Sequence, residues 1–248
     1  MEPITSRKNP TIRALRGLGA DRAEREEKKL FLCAGDKLLT EALAAGAEIP
    51  TLLCTEGMSL PPLPGTEVYV AERELLSYVS PLENNPGPVF TVSMRPAKES
   101  VPKRVLILEN VQDPGNVGTV LRTAAAFRSE LVIFCGDCAD PYNPKAVRAS
   151  MGAIFRQDFE RMRPERLFEK LKEWSLPLYG AALHAKARDI RELSLERCAV
   201  AVGNEGKGLS GELLAHCEEK LIIPMEPASE SLNAAVAASL ILWEMYRR

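Results

Sequence analysis

Residues 198–214, CAVAVGNEGKGLSGELL, decide how the second half of this chain is interpreted. An apolar run is followed by closely spaced glycines and then by a short amphipathic stretch. This order predicts a buried strand, a tight loop and a helix. Such loops bind phosphates or nucleotides, because backbone N–H groups of the loop and of the helix N-terminus face the ligand. The stretch therefore predicts a nucleotide site at the end of a strand.

Two nucleotide-binding patterns can be compared with this loop. The phosphate loop of nucleoside triphosphatases requires G-x-x-x-x-G-K-[ST], and this chain has Ala201 and Gly208 in place of the first glycine and the hydroxyl residue. The dinucleotide pattern G-x-G-x-x-G matches at Gly206, Gly208 and Gly211. Glu226 follows about 20 residues on, where a ribose-binding acid is expected. Because such glycines suit any loop with positive φ angles, the residues alone leave an NAD-dependent dehydrogenase open.

Apolar runs and helical patterns alternate through the second segment of the chain. The predicted strands are RVLILEN (104–110), ELVIFCG (130–136), PLYGAAL (177–183), CAVAVG (198–203) and KLIIPM (220–225). The predicted helices cover 115–127, 144–150, 165–174, 211–217 and 231–247. This alternation predicts an α/β fold with a parallel sheet that helices cover on both faces. Ligands bind such sheets beyond the carboxyl ends of the strands, so the residues after each strand are the candidates for function.

The first 95 residues have their own strand and helix pattern, which predicts a separate small α/β domain. A first helix is predicted from the spacing of three apolar residues, Ile12, Leu15 and Leu18. A second helix is predicted for 36–46, with Asp36 as its N-cap and Gly46 as its stop. Residues 96–102 are predicted to be a linker, and 103–248 the second domain. The start of the chain is basic, through Arg7, Lys8, Arg13 and Arg16.

The composition limits the class of protein. The chain is 46% hydrophobic, which is enough to bury a core, and its net charge of −2 argues against wholesale electrostatic capture of nucleic acid. A local basic patch remains possible. Six scattered cysteines include a single C-x-x-C pair, CGDC at 135–138, without the second pair of a zinc site. They are predicted to be buried free thiols, which places the protein in the cytoplasm.

No membrane segment is predicted. The first residues, MEPITSRKNP, lack the apolar region of a secretory signal. The longest apolar stretch, 234–243, has about half the length that a bilayer span requires. It predicts a helix that is buried on nearly all sides, in a core or in a subunit interface.

Three segments follow strands and carry polar groups. NVQDPGNVGTVLRTAAAF (110–127) begins with turn and helix-start residues and places Arg122 in an otherwise apolar helix. DPYNPKAVRASMGAIFR (140–156) is turn-rich and basic, and Lys145 and Arg148 beside Tyr142 suit either an RNA backbone or a solvated loop. IPMEPASESLNAAVAASL (223–240) offers Ser229 and Ser231 as N-caps of the last helix.

Together, NVQDPGNVGTVLRTAAAF, AVGNEGKGLS (201–210) and IPMEPASESLNAAVAASL resemble the three signature motifs of the SpoU-type RNA 2′-O-ribose methyltransferases, the TrmH family of the SPOUT class. The basic segment 140–156 is similar to the same family, and the N-terminal segment resembles the ribosomal-protein-like RNA-binding domain that often precedes the catalytic domain. The resemblance covers nearly the whole chain. It implies that the glycine loop holds S-adenosyl-L-methionine.

The resemblance further implies a fold and a set of site residues. The catalytic domain is expected to contain a trefoil knot, and its last helix to form a homodimer. Cofactor contacts are implied for Gly203, Asn204, Ile223 and Leu232, and catalytic roles for Asn116, Arg122, Glu205, Ser231 and Asn233. RNA contacts are expected at Arg7, Lys8, Arg13, Lys145 and Arg148. Arg128 stands where the family usually has glycine, which predicts an altered helix end.

The predicted function is therefore S-adenosylmethionine-dependent methylation of a ribose 2′-hydroxyl in structured RNA. Ribosomal RNA is favoured over transfer RNA as the substrate. The two histidines, His184 and His216, are isolated in sequence, so no metal site is predicted. Besides the dehydrogenase, a catalytically inactive RNA-binding protein of the same fold remains as an alternative.

Overall fold

The computed structural model describes residues 3–82, 87–182, 187–226 and 231–247. The chain divides into two compact units. Unit 1 comprises Met1–Arg95 with Asp140–Phe155, and unit 2 comprises Pro96–Ala139 with Arg156–Arg248. The basic segment after the second predicted strand thus packs with the N-terminal residues.

Unit 1 begins with a mixed sheet and four helices. In chain order these are α1 (Pro10–Ala20), α2 (Arg22–Lys28), β1 (Leu30–Ala34), α3 (Asp36–Ala44), β2 (Thr51–Cys54), β3 (Glu67–Val70), α4 (Arg73–Val79) and β4 (Val89–Ser93). The strand order is β1-β4-β2-β3, with β4 antiparallel to both of its neighbours and β2 parallel to β3. Ile12, Leu15 and Leu18 are buried in the core, which confirms the helix predicted from their spacing. The short, charged α2 was not predicted.

The predicted start of α3 is wrong by one residue. The N-cap is Gly35, not Asp36, and Gly35 has a φ of 95°, a conformation that favours glycine. Asp36 is the first helical residue, where its carboxylate faces the positive end of the helix dipole. Gly46 follows the helix with a φ of 66°, as predicted for a stop.

The chain continues with β5 (Arg104–Glu109), α5 (Pro114–Ala126), β6 (Leu131–Cys135), α6 (Pro144–Ser150), β7 (Phe159–Met162), α7 (Pro164–Trp174), β8 (Leu178–Ala181), β9 (Arg188–Asp189), β10 (Cys198–Val202), α8 (Gly211–His216), β11 (Glu219–Ile222) and α9 (Ala234–Tyr246). Helix α6 lies in unit 1. The described strands of unit 2 form one sheet of order β7-β6-β5-β10-β8-β11-β9, in which every pairing is parallel. The predicted α/β fold with a parallel sheet is confirmed.

The predicted strands and the unpredicted ones differ in burial. All five predicted strands of unit 2 form, and every residue of β6 and β10 is buried. The edge strands β7 and β9 were missed, because β7 is only partly buried and carries charges, and β9 has two residues. Strand order does not record how a chain threads through itself, so the trefoil knot stays a prediction.

Helix α9 is buried on one side only. Ile241 and Leu242 are buried, whereas Val236, Leu240 and Trp243 are 48%, 42% and 48% exposed. These three follow the i, i+4, i+7 spacing of one helix face, and we call them the α9 stripe. Within the described part of the chain, no helix combines the length and apolar character that crossing a membrane requires.

All six cysteines are free thiols, as predicted, and only Cys217 is not fully buried. In the C-x-x-C pair, the Cys138 thiol donates to the backbone oxygens of Leu108 at 3.1 Å and Cys135 at 3.3 Å. Burial raises the pKa of Cys135 to about 12, and it also raises the pKa of Cys138. The pair therefore lacks the thiolate character of a redox or metal site.

Candidate active site

A cavity of about 630 Å³ opens beside the loops that follow β10 and β11, within unit 2. Its walls are Ala181, Ala182, Val202–Leu209, Leu214, Leu221–Ile223, Met225, Ser231, Leu232, Ala234 and Ala237. One part of the wall is apolar, and another carries Glu205, Lys207 and Ser231. The volume lies within the roughly 300–1,000 Å³ of small-molecule sites, and the mixture of walls suits a ligand with an apolar ring and a charged tail.

The glycine loop forms one wall as a tight hairpin. The backbones of Asn204 and Gly208 exchange two hydrogen bonds, at 3.1 and 2.9 Å. The Asn204 side-chain oxygen accepts from the N–H groups of Gly206 and Lys207 at 2.9 and 3.1 Å. A Cβ at Gly203 would lie 2.2 Å from the carbonyl carbon of Gly208. Residue 203 must therefore be glycine for the loop to fold back in this way.

The Glu109 side chain and the Asn110 carbonyl, at the end of β5, anchor this loop to the sheet. The Asn204 amide donates to the Asn110 carbonyl at 2.9 Å. Glu109, only 3% exposed, accepts from the Ser210 N–H at 2.7 Å and from the Ser210 hydroxyl at 2.6 Å. The Ser210 oxygen in turn accepts from Leu213 N–H as the N-cap of α8. Both ends of the loop are thus fixed to the end of β5.

Three polar residues from distant parts of the chain meet at the edge of the cavity. The Asn116 side-chain amide donates to Glu205 Oε1 at 2.7 Å. The Asn233 amide donates to Asn116 Oδ1 at 3.1 Å, and Asn233 Oδ1 accepts from the N–H groups of Ala235 and Val236. We call Asn116, Glu205 and Asn233 the polar triad. It lies where the helix starts of α5 and α9 meet the glycine loop.

The hydrogen bonds determine how each amide of the polar triad is oriented. The start of α9 supplies only donors to Asn233, so the Asn233 oxygen faces the helix and its nitrogen faces Asn116. Asn116 must then present oxygen to Asn233 and nitrogen to Glu205. One carboxylate oxygen of the exposed Glu205 is used, and the other has no partner among the described residues. The triad therefore presents a fixed acceptor at the cavity edge.

Most of the predicted site residues come together. Gly203, Asn204, Glu205, Ile223, Ser231 and Leu232 line the cavity, and Asn116 and Asn233 join it through Glu205. The predicted N-cap Ser231 is wrong, because Asn233 caps α9 and leaves the exposed Ser231 at the cavity. Ser229 lies outside the described residues, as does His184. The functional role of each residue stays a prediction.

Arg122 does not lie with the polar triad. Six residues of α-helix turn it about 120° away from Asn116 and about 9 Å along α5. Its side chain is exposed and has no hydrogen bond or ion pair with any residue that the structure describes. The structure therefore presents Arg122 as an available cation on the outer side of α5.

The residues predicted to contact RNA all lie in unit 1. Arg7, Lys8 and Arg13 are exposed near the start of α1, and Lys145 and Arg148 are exposed on α6. Tyr142 is not a free aromatic, because its ring packs on Phe31 with the centroids 4.8 Å apart. Burial raises the pKa of Tyr142 to about 12.

The sequence did not reveal the anchoring residues Glu109, Asn110 and Ser210. Their signal was present, since Glu109 and Asn110 are polar residues at the carboxyl end of an apolar strand. Within the ranges that the structure describes, no group of three or more His, Cys, Asp or Glu side chains is placed to hold a metal ion.

Family models match both parts of the chain. The SpoU rRNA Methylase family matches residues 103–243, which include the whole cavity, and the MRM3-like substrate binding domain matches residues 9–90. The chain is similar to the 23S rRNA (guanosine(2553)-2′-O)-methyltransferase RlmP of Bacillus subtilis, with 30% identity over 99% of both chains.

Solved structures agree over the full length. An AdoMet-bound rRNA methyltransferase from Sinorhizobium meliloti is 28% identical with a TM-score of 0.88, over 99% of this chain and 97% of that chain. The SpoU methyltransferase AviRb from Streptomyces viridochromogenes, in complex with AdoMet, is 26% identical with a TM-score of 0.88, over 97% and 98%.

Proposed function

Because the chain belongs to the SpoU rRNA methylase family, we propose that it transfers a methyl group from S-adenosylmethionine to a ribose 2′-hydroxyl in ribosomal RNA. The predictions of the family, the fold class, a methyltransferase activity and S-adenosylmethionine as cofactor are confirmed by the family match and by the AdoMet-bound structural neighbours. The individual roles of the site residues and the RNA are the proposal.

The polar triad is the observation that carries the proposal. It places a carboxylate with an unused oxygen beside a cavity of suitable size and polarity. The apolar wall, which includes Leu209, Leu221 and Leu232, suits an adenine ring. The exposed carboxylate of Glu205 provides negative charge for a sulfonium. The residues present therefore fit the cofactor.

Methyl transfer requires an aligned oxygen and a destination for its proton. Bound S-adenosylmethionine supplies a methyl group on a positively charged sulfur, which an oxygen nucleophile displaces in line. The unused Glu205 oxygen is the acceptor that this chain offers for the 2′-hydroxyl proton, and Asn116 holds that carboxylate in place. The alternative acceptor for this proton is a phosphate group of the RNA substrate. Ser231, exposed at the cavity, is assigned to orienting the ribose.

We assign Arg122 to contacting the RNA rather than to accepting the proton of the 2′-hydroxyl. Arginine stays protonated in proteins, so it is unsuited to act as a base. Its planar fork suits a phosphate or the charge that develops on the 2′-oxygen. The absence of any partner for Arg122 among the described residues leaves that fork available.

We also propose a homodimer through α9. The α9 stripe is apolar and exposed, and a second copy would remove it from water. Helices α5 and α9 pack side by side, joined by a hydrogen bond between Ser239 and Thr123. Arg122 is exposed on α5, the helix against which α9 packs. We propose that this dimer brings Arg122 to RNA in the partner's site, because Arg122 lies apart from the polar triad of its own chain.

Sedimentation tests the dimer. The wild-type chain is expected to be a dimer at micromolar concentration. Leu240→Glu is expected to yield monomers or insoluble protein, because it places a charge in the apolar stripe. Lys172→Glu, a charge reversal on the exposed side of α7, is the control and should leave the dimer intact. A monomeric wild-type chain would contradict the dimer.

The class of RNA substrate and the cellular location are also part of the proposal. Ribosomal RNA is favoured over transfer RNA because RlmP is named as a 23S rRNA methyltransferase and matches this chain over its whole length. A cytoplasmic location is supported by the six free thiols, which suit a reducing compartment.

Binding and methylation assays separate the candidate functions. Calorimetry is expected to show about one S-adenosylmethionine site per subunit and no NADH binding. Ribosomal RNA from cells that lack the protein is expected to lack one 2′-O-methyl group, which the purified protein restores. Glu205→Gln should slow this reaction, and the exposed Glu212→Gln is the matched control. NADH binding without S-adenosylmethionine binding would refute the proposal, and cofactor binding without methylation of any RNA would favour the inactive RNA-binding protein.

A further inference from the structure

We propose that Tyr78 and the Arg7 and Arg16 guanidinium groups that lie over its ring form a platform on unit 1 on which one unpaired RNA base stacks. We call these three residues the Tyr78 platform. The proposal deepens the RNA-binding part of the proposed function and rests on it. It names a single-stranded segment, rather than a duplex, as the part of the RNA that unit 1 recognises.

The platform lies where α1 and α4 pack together, with Arg16 on α1, Tyr78 on α4 and Arg7 just before α1. The Arg7 guanidinium carbon lies 4.6 Å from the centre of the Tyr78 ring, and that of Arg16 lies 5.2 Å from it. Arg7 also donates to Glu74 Oε1 at 2.7 Å, and Arg16 donates to the Tyr78 carbonyl at 3.2 Å. These bonds orient both guanidinium groups against the ring. Tyr78 nevertheless remains 36% exposed, and the Arg7 side chain 56% exposed.

The charges around the platform are poorly balanced within the protein. Lys8 follows Arg7, and Arg13 lies three residues before Arg16. Both are exposed and have no side-chain partner among the described residues. Both lie near the N-terminus of α1, whose first turn contains no acidic residue. The positive end of a helix dipole disfavours cations at this position. Arg13 and Arg16 are also like charges at i, i+3. A bound polyanion would relieve all of these repulsions.

The chemistry of the patch matches single-stranded RNA. Unpaired bases stack on aromatic rings and on guanidinium planes, and neighbouring cations contact the phosphates between them. A base in a duplex presents only its edges, because both of its faces are covered by neighbouring bases. The Tyr78 platform would therefore bind a loop or a bulge with little preference for base identity. It would contribute to RNA affinity, while methyl transfer takes place in unit 2.

The test measures binding of the full-length chain to a fluorescent single-stranded oligouridine and to a blunt RNA duplex. Tyr78→Ala is expected to weaken binding of the single strand about tenfold, with little change for the duplex. Tyr78→Phe keeps the ring and should bind nearly as the wild type does. Arg13→Gln should reduce the salt slope of single-strand binding by about 0.7. Lys37→Gln, an exposed cation on α3, is the control and should change neither quantity.

Two further measurements make the outcome decisive. Urea unfolding separates lost stacking from a loosened α1–α4 contact, because stacking predicts weaker RNA binding by Tyr78→Ala with an unchanged unfolding midpoint. Unchanged single-strand affinity, or an equal loss for the duplex, would overturn the platform. Calorimetry with S-adenosylmethionine is run on the same variants. If the cofactor fails to bind the wild type while Tyr78→Ala still loses RNA affinity, the proposed function fails and the platform stands.

Discussion

Two glutamates differ in how they are held at the glycine loop: Glu109 contacts the loop from β5, and Glu205 lies within it. Glu109 is buried, and both of its oxygens accept hydrogen bonds from Ser210. Glu205 is exposed, with one oxygen bound to Asn116 and no described partner for the other. The hydrogen bonds to both Glu109 oxygens fix the loop, whereas the second Glu205 oxygen is left to contact a substrate. Substitution of Glu109 is therefore expected to lower stability and cofactor affinity, whereas substitution of Glu205 is expected to lower the rate of methyl transfer.

Two arginines repeat this contrast. Arg25 is 2% exposed and donates to the Leu18 carbonyl at 2.6 Å and to Asp140 at 2.9 Å. Arg122 is exposed and has no described partner. Removing one side of a buried pair leaves an uncompensated charge and costs stability, whereas removing a free surface cation costs almost none. Any loss at Arg122 must then come from the RNA or from the reaction.

The largest effect is expected for Arg122→Ala. Removing one preorganised donor costs roughly a hundredfold to a thousandfold in rate. The variant should bind S-adenosylmethionine nearly normally and methylate RNA at least about a hundredfold more slowly in single turnover. Arg122→Lys should recover only part of the rate, because an ammonium lacks the planar fork. Arg163→Ala, which removes another exposed arginine of unit 2, is the control.

Mixed dimers sharpen this prediction. If Arg122 serves the partner's site, then mixing Arg122→Ala and Glu205→Gln chains should restore activity, because one of the two sites in a mixed dimer is intact. Full activity of Arg122→Ala alone would remove this residue from the mechanism. Activity that mixing does not restore would place Arg122 and Glu205 in the same chain's site.

A smaller effect is expected for Glu109→Ala. It leaves the Ser210 N–H and hydroxyl without their acceptor in a partly buried position, which costs about 1–3 kcal/mol of unfolding free energy. Because Ser210 ends the glycine loop, affinity for S-adenosylmethionine should fall more than the rate at saturating cofactor. Urea unfolding and calorimetry measure the two effects. In a double-mutant cycle, Ser210→Ala should cost much less in the Glu109→Ala background. Independent, additive losses would show that the pair does not act as a unit.

The sequence predicted the parts of the fold that depend on local pattern. Buried strands such as β6 and β10 are continuous apolar runs, and α1 shows its core face in the spacing of Ile12, Leu15 and Leu18. The short edge strands β7 and β9 bury too little to leave such a pattern. Unit 1 also contains a pairing that no local pattern encodes, because Arg25 and Asp140 are 115 residues apart.

The active site was predicted by resemblance rather than by pattern. Glu205 lies 89 residues from Asn116, and Asn233 lies 117 residues from it, so helix and strand periods cannot group them. The motif resemblance grouped them, and the hydrogen bonds of the polar triad join them. It did not give the orientation of Arg122, because a motif records the order of residues and not the side of the helix on which each one lies. Glu109 was not predicted as a site residue, because the sequence does not distinguish a buried, hydrogen-bonded acid from an ordinary polar residue at the end of a strand.

The smallest effect is expected at Arg128, where the family's usual glycine is replaced. Arg128 itself adopts the left-handed conformation, with a φ of 54°, directly after the C-cap Phe127. An L-residue with a Cβ is strained there, and Arg128 is exposed with no described partner. Arg128→Gly should therefore raise the free energy of unfolding by about 0.5–1 kcal/mol, the relief of strain exceeding the added freedom of the unfolded chain. Lys172→Gly, in the last turn of α7, should lower it by a similar amount. Urea unfolding of both variants measures the difference in sign. A destabilised Arg128→Gly would mean that the arginine makes a favourable contact that outweighs its backbone strain. Arg128 would then resemble the partnered residues Glu109 and Arg25 rather than the unpartnered Arg122.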